Sequence, residues 1–388
     1  MRESLYADYA VPEIAELLDQ LCPDGVNRVP LRDLLKHEQP GKYQVKSAKY
    51  DLAASIPVLS PGKGFLLGYT HENDGVYPAS IERPVIIFDD FTTNFHWVDF
   101  PFKVKSSAMK MLYLASNDAD LRYVYWAMQM IRYVPEEHAR QWLQTYSHFE
   151  IPLPPLEAQH RIVDILDDFT NLEASLQREL KLREEQTNFY RDALLNFEDA
   201  GSDSYPSKQI AEMLEELYPG GVSESRLRDV VEIKNGKDWK NEKPGDVPVY
   251  GTGGPMGVYV EQMAAEGPSV LLPRKGSMTV QYVEEPFWNV DTVFATVVDE
   301  NRLLPKYFYH AMVATNLERL STNPTRPSLT KTALEALTLP IPPLIVQREI
   351  VSILDNFTAM KDSVSNEIEV RQKQLEYYRD QVLDFPTK

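Results

Sequence analysis

A stretch of 47 residues occurs twice in this chain, and it limits the possible folds more than any other feature. The first copy runs from Ile151 to Phe197 and the second from Leu339 to Phe385, at a constant offset of 188 residues. The two copies align without a gap and share 21 identical residues. Similarity of this extent predicts an internal structural repeat.

Each copy begins with a proline-rich run, Leu153-Pro154-Pro155 in the first and Ile341-Pro342-Pro343 in the second. Proline fixes φ and removes a hydrogen-bond donor, so both runs should be extended. About 40 residues without Pro or Gly follow, with apolar residues mostly at three- and four-residue steps, which predicts a long helix with a heptad-like seam. Each helix would be about 60 Å long and needs a partner, for which the other copy is the natural candidate. A plain dimerisation or spacer coiled coil is the alternative.

A second, shorter repeat frames the first. Residues 15–34 resemble residues 211–230, at an offset of 196. The pattern is a short helix, a variable region and a long helix, and then the same again. It predicts six segments: an N-terminal repeated segment 1–35, a first variable region 36–150, a first long helix 151–200, a central repeated segment 201–233, a second variable region 234–338, and a second long helix 339–388.

The two variable regions do not resemble each other in sequence, yet both have the features of α/β domains. The first contains a strand-like run, residues 84–88, and a helix-like run, residues 121–128. The second contains strand-like residues 269–272 and 292–298, followed by helical residues 305–312. Glycine turns at 62–64 and 251–254 interrupt both. One frame holding two unlike inserts suggests one task performed on two targets.

The length of 388 residues predicts two to four domains. Cys22 is the one cysteine, so the sequence offers neither a disulfide framework nor a cysteine-based metal site. The residues after Met1 are polar, which predicts no signal peptide, and no apolar run is long enough to span a bilayer. We therefore expect a cytoplasmic protein.

The repeated frame and several short motifs together resemble the specificity subunit of type I restriction–modification systems. The resemblance covers essentially the whole chain and includes the Pro-Pro-Leu-x-x-Gln start of each long helix. Residues 235–237, 249–254, 273–277 and 326–330 are similar to one class of target-recognition domain in that family. Residues 86–93 and 104–110 are similar to another class.

The resemblance implies an α/β (α+β) fold in which two globular α/β target-recognition domains are separated by two long antiparallel coiled-coil helices, with a pseudo-two-fold internal repeat. Each domain would read one half of a split site in double-stranded DNA, and the helices would set the spacing between the half-sites. The chain itself would be non-catalytic and bind no cofactor. It would recruit two modification subunits, which methylate adenine with S-adenosylmethionine, and two restriction subunits, which use ATP and Mg²⁺, for host defence.

The net charge of −18 at first argues against DNA binding. The acidic residues are nevertheless concentrated on the helical frame. Residues 36–150 hold 12 Lys and Arg against 13 Asp and Glu, and residues 234–340 hold 11 against 12. Basic side chains of the two nearly neutral regions could therefore gather on one face. The alternative is an acidic protein with scattered lysines.

Basic and small polar residues near predicted turns suit contacts with phosphates and base edges. The predicted DNA-binding residues are Lys46, Lys63, Thr92, Thr93, Asn94, Lys105, Ser106, Lys110, Lys234, Asn235, Lys237, Arg274, Lys275, Ser277, Arg326, Ser328 and Lys331. Each group has a purely structural alternative. Residues 234–237 could form a hairpin turn, and residues 321–331 could form a solvated connector.

Asp89, Asp90 and Asp99, with Glu82 nearby, could instead form a metal-dependent nuclease site. The structural alternative is that Asp89 and Asp90 end a buried strand and cap a turn. The seven histidines show no metal-ligand spacing, and no metal site is predicted. The sequence also contains no Walker-type phosphate-binding loop. It lacks the Asn/Asp-Pro-Pro-Tyr/Phe tetrapeptide that holds a target adenine in amino-methyltransferases. An independent DNA-modifying enzyme and a coiled-coil scaffold that binds only protein remain the rival interpretations.

Overall fold

The structure is a computed structural model that describes residues 11–62, 64–199, 204–321 and 327–385. The chain forms two compact units. Unit 1 comprises Met1–Ser175 and Ile368–Lys388, and unit 2 comprises Leu176–Glu367. Each of the two long helices therefore contributes one part of its length to each unit.

The longer α-helices of the described residues fall within the helical stretches that the sequence predicts. No described helix is both long enough and apolar enough to cross a membrane. The two 40-residue helices follow the two proline runs, which confirms that prediction. The helices are α1 Pro12–Leu21, α2 Leu31–Leu34, α3 Leu121–Met128, α4 Leu156–Leu195, α5 Lys208–Leu217, α6 Pro305–Ala314, α7 Lys331–Glu335 and α8 Leu344–Leu383.

A buried glutamine explains the motif at the start of α4. The side chain of Gln159 is fully buried, and its Oε1 accepts a hydrogen bond of 2.8 Å from the backbone N–H of Asp120, the residue that caps α3. Its Nε2 donates to the carbonyl oxygen of Pro154 at 2.7 Å. The hydroxyl of Tyr123 donates to the carbonyl oxygen of Pro152. These bonds join α3, the proline run and α4 into one block, because they pair backbone groups of all three at one buried glutamine and one buried tyrosine.

The second copy makes the same contacts. Gln347 is fully buried, and its Oε1 accepts a hydrogen bond from the backbone N–H of Leu304, the residue before α6. Its Nε2 donates to the carbonyl oxygen of Pro342, and Tyr307 donates to the carbonyl oxygen of Pro340. The repeated sequence therefore encodes a repeated junction between a long helix and its domain.

Acidic residues about two turns further along the long helices hold the same two domain helices. In unit 1, Asp167 on α4 accepts hydrogen bonds from the Arg122 guanidinium at 2.8 Å and from the Trp126 indole at 2.9 Å. The guanidinium also lies 4.7 Å from the ring centre of Trp97, a cation–π contact. A charged, hydrogen-bonded contact of this kind fixes orientation as well as separation.

In unit 2, Asp355 on α8 occupies the matching position and pairs with the Lys306 ammonium at 2.9 Å. His310 takes the place of the tryptophan, with Nε2 3.5 Å from Asp355. Burial lowers the pKa of His310 to about 4, so the imidazole is neutral at neutral pH and its contact with Asp355 is not an ion pair.

The long helices pack against each other in opposite directions within each unit. In unit 1, the ring of Phe169 on α4 stacks on Tyr378 of α8 at 5.2 Å, and Glu173, one turn later, accepts a hydrogen bond from Gln372, which lies earlier on α8. The contacts move forward along one helix and backward along the other, so the packing is antiparallel.

Unit 2 contains the equivalent stack with the partners exchanged. Tyr190 of α4 stacks on Phe357 of α8 at 4.6 Å. Tyr190 matches Tyr378 in the sequence repeat, and Phe357 matches Phe169. Each helix therefore presents one phenylalanine and one tyrosine to its partner, as expected from the internal sequence repeat.

Unit 1 contains two sheets and a separate two-stranded ribbon. The four-stranded sheet has the order β2-β8-β5-β6, the three-stranded sheet has the order β4-β3-β7, and β1 pairs with β9. The strands are β1 Asn27–Pro30, β2 Leu35–Glu38, β3 Ile56–Leu59, β4 Leu66–Thr70, β5 Val85–Asp89, β6 Phe95–Val98, β7 Lys103–Val104, β8 Met109–Leu114 and β9 Glu150–Leu153.

Unit 2 repeats this arrangement strand for strand. Its sheets have the orders β11-β17-β14-β15 and β13-β12-β16, and β10 pairs with β18. The strands are β10 Glu224–Arg226, β11 Val231–Asn235, β12 Pro244–Gly251, β13 Gly254–Val260, β14 Ser269–Pro273, β15 Gln281–Val283, β16 Trp288–Asn289, β17 Val293–Val298 and β18 Thr338–Pro340.

The two domains therefore have one topology despite their unlike sequences. β3 pairs with β7 in parallel, as β12 pairs with β16, and the remaining strand pairs are antiparallel in both units. The predicted fold class is confirmed. The six-segment division stays a prediction, since the compact units divide both long helices between them.

The glutamine junction leads to a prediction about local stability. Replacing Gln347 by Leu leaves buried backbone groups, including the Leu304 amide, without partners. Each such group costs about 1–3 kcal/mol. The Leu304 amide should therefore exchange its hydrogen about 5- to 150-fold faster, which hydrogen exchange resolved by residue measures directly. Gln372→Leu, at an exposed site on the same helix, should leave that rate unchanged. Equal Leu304 rates in both variants would contradict the proposed role of the junction.

Candidate nucleic-acid interface

In unit 2, the sequence motifs predicted to contact DNA meet at the end of β14. The backbone N–H of Arg274 donates to the carbonyl oxygen of Thr292 at 2.9 Å. The carbonyl oxygen of Arg274 accepts from the N–H of Leu329, and Lys275 forms a β-bridge with Ser328. Residues that are far apart in the sequence are thus joined by backbone hydrogen bonds into one surface.

The glycine turn between β12 and β13 lies beside this strand end. Gln281 Nε2 donates to the carbonyl oxygen of Gly251 at 2.8 Å. A Cβ placed on Gly276 would lie 3.3 Å from Thr252 Oγ1, and Gly276 has φ of +91°, which other residues rarely adopt. Glycine is therefore favoured here by the backbone conformation, and a Cβ would also press against the turn.

The end of β11 completes the surface. The N–H of Lys237 donates to the carbonyl oxygen of Asn289 at 3.0 Å, and a Cβ on Gly236 would overlap the carbonyl oxygen of Val290. The N–H of Val290 in turn donates to the carbonyl oxygen of Tyr250. Residues 234–237 are not a hairpin turn, because β11 and β12 belong to different sheets. That alternative interpretation is wrong.

These loops border a groove with a volume of about 690 Å³. Trp239 and Lys240 line it together with the glycine turn 251–254 and residues 290–292. Sequence reasoning missed Trp239 and Lys240, although an aromatic and a basic residue within three positions of Lys237 could have drawn attention to them. The half-buried indole and the exposed ammonium are groups that can stack on a base and contact a phosphate.

The predicted side chains of unit 2 differ in their availability. Lys237, Lys275 and Ser277 are exposed at the surface formed by the four motifs. Arg274 is half-buried, because its guanidinium lies 5.8 Å from the ring centre of Phe294 and donates to the carbonyl oxygen of Asp291. Its role is therefore partly structural.

The remaining predicted residues of unit 2 lie at the margins. Lys234 pairs with Glu232 on its own strand at 3.4 Å, and Lys331 pairs with Glu335 along α7 at 3.6 Å. Asn235 is exposed at the end of β11 and Ser328 is half-buried in its bridge to Lys275. Arg326 lies outside the described residues.

In unit 1, Asp89, the last residue of β5, holds the turn that follows the strand. Asp89 Oδ1 accepts hydrogen bonds from the N–H groups of Phe91 and Thr92, at 2.8 and 3.1 Å. Thr93 adopts φ of +60°, is buried, and uses its hydroxyl to bond the carbonyl oxygen of Thr92. Thr92 is exposed and Asn94 is half-buried. Of the three predicted side chains in this turn, Thr92 is the one fully available at the surface.

Lys110 is a correction to the sequence prediction. It is 1% exposed, and its ammonium lies 3.1 Å from the carboxylate of Asp90, which is also 1% exposed. Asp90 further accepts a hydrogen bond from the backbone N–H of Trp142. A buried lysine needs such a partner to remain charged. Lys110 therefore belongs to the domain core and not to a DNA-binding surface.

The same contacts show that Asp89 and Asp90 have structural roles. Asp89 caps the turn and Asp90 pairs with Lys110, so the structural alternative for these two residues is confirmed. In the described parts of the chain, no group of three His, Cys, Asp or Glu is placed to hold a metal ion.

The other predicted residues of unit 1 lie on loops near the turn. Lys105 and Ser106 are exposed, and Ala108, two residues further on, accepts the N–H of Asp90 through its carbonyl oxygen. Lys46 is exposed on a segment attached to β7 by the hydrogen bond from the Val45 N–H to the Val104 carbonyl oxygen. Lys63 lies outside the described residues.

The arrangement is a pair of domains of one topology, each with its own exposed polar loops at equivalent strand ends, on a duplicated helical frame. The sequence profile described as "Type I restriction modification DNA specificity domain" matches residues 85–182 and 219–370, most of the chain. The chain belongs to this family of type I restriction–modification specificity subunits.

Individual relatives agree with this assignment. The chain is 36% identical over 396 residues to the type I restriction enzyme EcoR124I/EcoR124II specificity subunit of Escherichia coli, covering 94% of this chain and 96% of the relative. It is 26% identical to a putative specificity subunit of Haemophilus influenzae, over 92% and 94% of the two chains. The crystal structure of a type I S subunit from M. genitalium shares the fold, with a TM-score of 0.62, 16% identity, and 94% and 98% coverage.

Two glycines in unit 2 provide a matched test of the surface geometry. Gly236→Ala would force the new Cβ against the Val290 carbonyl oxygen, whereas a Cβ on Gly253 meets no atom within 4 Å. Overpacking of this kind costs about 1–3 kcal/mol. Gly236→Ala should lower the thermal stability of the protein and weaken DNA binding, and Gly253→Ala should keep wild-type stability. Scanning calorimetry and a binding titration measure both effects. Equal stability of the two variants would show that the described contact at Gly236 is wrong.

Proposed function

We propose that this specificity subunit reads a two-part site in double-stranded DNA, with one part read by each domain. The observation that carries the proposal is the repetition of one topology with different loops: the strand ends that bear Arg274 and Lys275 in unit 2 bear Asp90 and Phe91 in unit 1. Two frames of one shape with different surface chemistry suit the reading of two different base sequences.

The subunit is proposed to work within a cytoplasmic complex with two modification and two restriction subunits. The family assignment supports partners of this kind, and the Escherichia coli relative is the specificity subunit of a type I restriction enzyme. In this proposal the partners bind S-adenosylmethionine, ATP and Mg²⁺, and this chain supplies only the DNA sequence preference. Methylome sequencing of a host that expresses the chain with its modification subunit tests the proposal. Methylation without a two-part site would contradict it.

A domain exchange tests whether the two halves are read separately. The exchanged segment should be residues 35–149, because α2 ends at Leu34 and β9, which begins at Glu150, pairs with β1 of the repeated frame. The incoming segment should come from another family member and keep a cation at position 122 to pair with Asp167. Methylomes should then show one altered half-site and one unchanged half-site. A simultaneous change in both would contradict separate reading.

Lys275 offers a clean test of the surface in unit 2, because its side chain is exposed while its backbone is held by the bridge to Ser328. If the ammonium contacts a phosphate, Lys275→Ala should weaken binding to all sequences and lower the slope of log K against log salt by about one. Salt titrations of the complex with its modification subunits provide the measurement.

The matched control is Lys208→Ala on α5, whose side chain is 90% exposed. It should leave affinity and salt slope at wild-type values. A Lys275 variant indistinguishable from the Lys208 variant would remove Lys275 from the proposed interface.

A further inference from the structure

The strand register identifies equivalent positions in the two domains. Asp89 lies opposite Met109 on β8, and Pro273 lies opposite Val293 on β17. The next residue makes the same backbone contact in both units: the N–H of Asp90 donates to the carbonyl oxygen of Ala108, as the N–H of Arg274 donates to that of Thr292. Asp90 and Arg274 are therefore equivalent.

The loop after the domain helix is tied to this position in both units. The carbonyl oxygen of Asp90 accepts the N–H of Gln141 at 2.7 Å, and that of Arg274 accepts the N–H of Leu329 at 2.9 Å. The residues just before Gln141 thus correspond to those just before Leu329, in a motif predicted from sequence to contact DNA. No motif marks them in unit 1, and sequence reasoning did not select them.

Two exposed side chains stand on this part of the loop in unit 1. His138 stacks face to face on Phe91, with ring centres 4.5 Å apart and an interplanar angle of 16°. Arg140 follows two residues later, and both His138 and Arg140 are exposed. Within the described ranges, neither makes a hydrogen bond or an ion pair with another residue. Their polar atoms are therefore available to a ligand.

The loop that carries them is held in place. Gln141 is 5% exposed, and its side chain donates to the carbonyl oxygen of Ala139 and accepts from the Tyr133 hydroxyl. The adjacent Trp142 is bonded through its N–H to the Asp90 carboxylate. A loop whose backbone is already held loses little conformational freedom on binding, which favours specific over loose contacts.

The local charges favour one kind of contact. Asp90 forms an ion pair with Lys110 inside the domain, so its carboxylate does not repel DNA phosphates at the surface. Glu136 and Glu137, exposed on the same loop, would repel a phosphate backbone. A surface with an arginine, an imidazole and nearby carboxylates is better suited to base edges, where arginine pairs with guanine and glutamate accepts from cytosine.

We propose that His138 and Arg140 are specificity-determining residues of the first domain and read base edges of its half-site, with Arg140 contacting guanine. The proposal rests on the proposed function and deepens it by naming the reading residues of unit 1. Phe91 acts as a positioning residue that holds the imidazole.

The experiment begins with the methylome of the wild-type complex. Comparing it with the methylome of the complex that carries the 35–149 exchange identifies the half-site read by unit 1. Arg140→Ala, Arg140→Lys and His138→Ala are then compared with Arg83→Ala. Arg83 is also exposed, but it lies before β5, at the opposite end of that strand from Phe91. It therefore serves as the control. Binding of the purified complexes to duplexes with single-base changes in either half gives the discrimination ratios.

Arg140→Ala should lose about 5- to 150-fold of the discrimination at one guanine position of that half-site. Arg140→Lys should lose part of the discrimination, because a flexible ammonium lacks the fixed planar fork with which a guanidinium pairs with guanine. His138→Ala should relax a neighbouring position, and Arg83→Ala should match the wild type. Continued reading of the second half-site shows that each variant is folded.

Three results would overturn the inference: unchanged discrimination in both the Arg140 and His138 variants, a uniform loss of affinity with no change in base preference, or changes confined to the second half-site. If the wild-type complex recognised no two-part site, the proposed function itself would fail. The two failures are therefore distinguishable.

Discussion

The structure depends on a buried glutamine that appears once in each half. Gln159 and Gln347 follow the proline runs, and each satisfies a backbone N–H at the start of a domain helix and a carbonyl oxygen of the proline run. Proline runs cannot satisfy their neighbours through a regular strand ladder, since they lack donors. A side-chain amide, with one acceptor and two donor hydrogens, meets both needs at one point and fixes where the long helix leaves its domain.

Beyond that junction, the same contacts of the helical frame occur in both units, with a few residues exchanged. An aspartate on each long helix holds the domain helix, through arginine and tryptophan in unit 1 and through lysine in unit 2, where a histidine takes the place of the tryptophan. The aromatic stacks between the long helices exchange their phenylalanine and tyrosine. Contacts that set geometry are thus repeated, while the loops on the domains are free to differ. This division suits a protein in which recognition changes and assembly does not.

The comparison of Asp90–Lys110 with Arg274–Phe294 shows how this freedom extends into the domains. The two pairs occupy equivalent positions, yet one is a buried ion pair and the other a cation–π contact. Both hold the end of a central strand against its neighbour. Because different chemistry performs the same structural task, the residues around these positions cannot be assigned to DNA contact from their type alone.

The sequence by itself determined the repeat, both long helices, the proline runs and several strands, because these follow from local periodicity and from proline chemistry. Resemblance in short motifs also identified the family. Only the tertiary structure decided that the two unlike variable regions share one topology, since strand order arises from pairing between distant residues. It also showed that Lys110 lies in the core and that His138 stacks on Phe91. Whether a charge is buried, and which loop stands next to it, depends on contacts that no local pattern encodes.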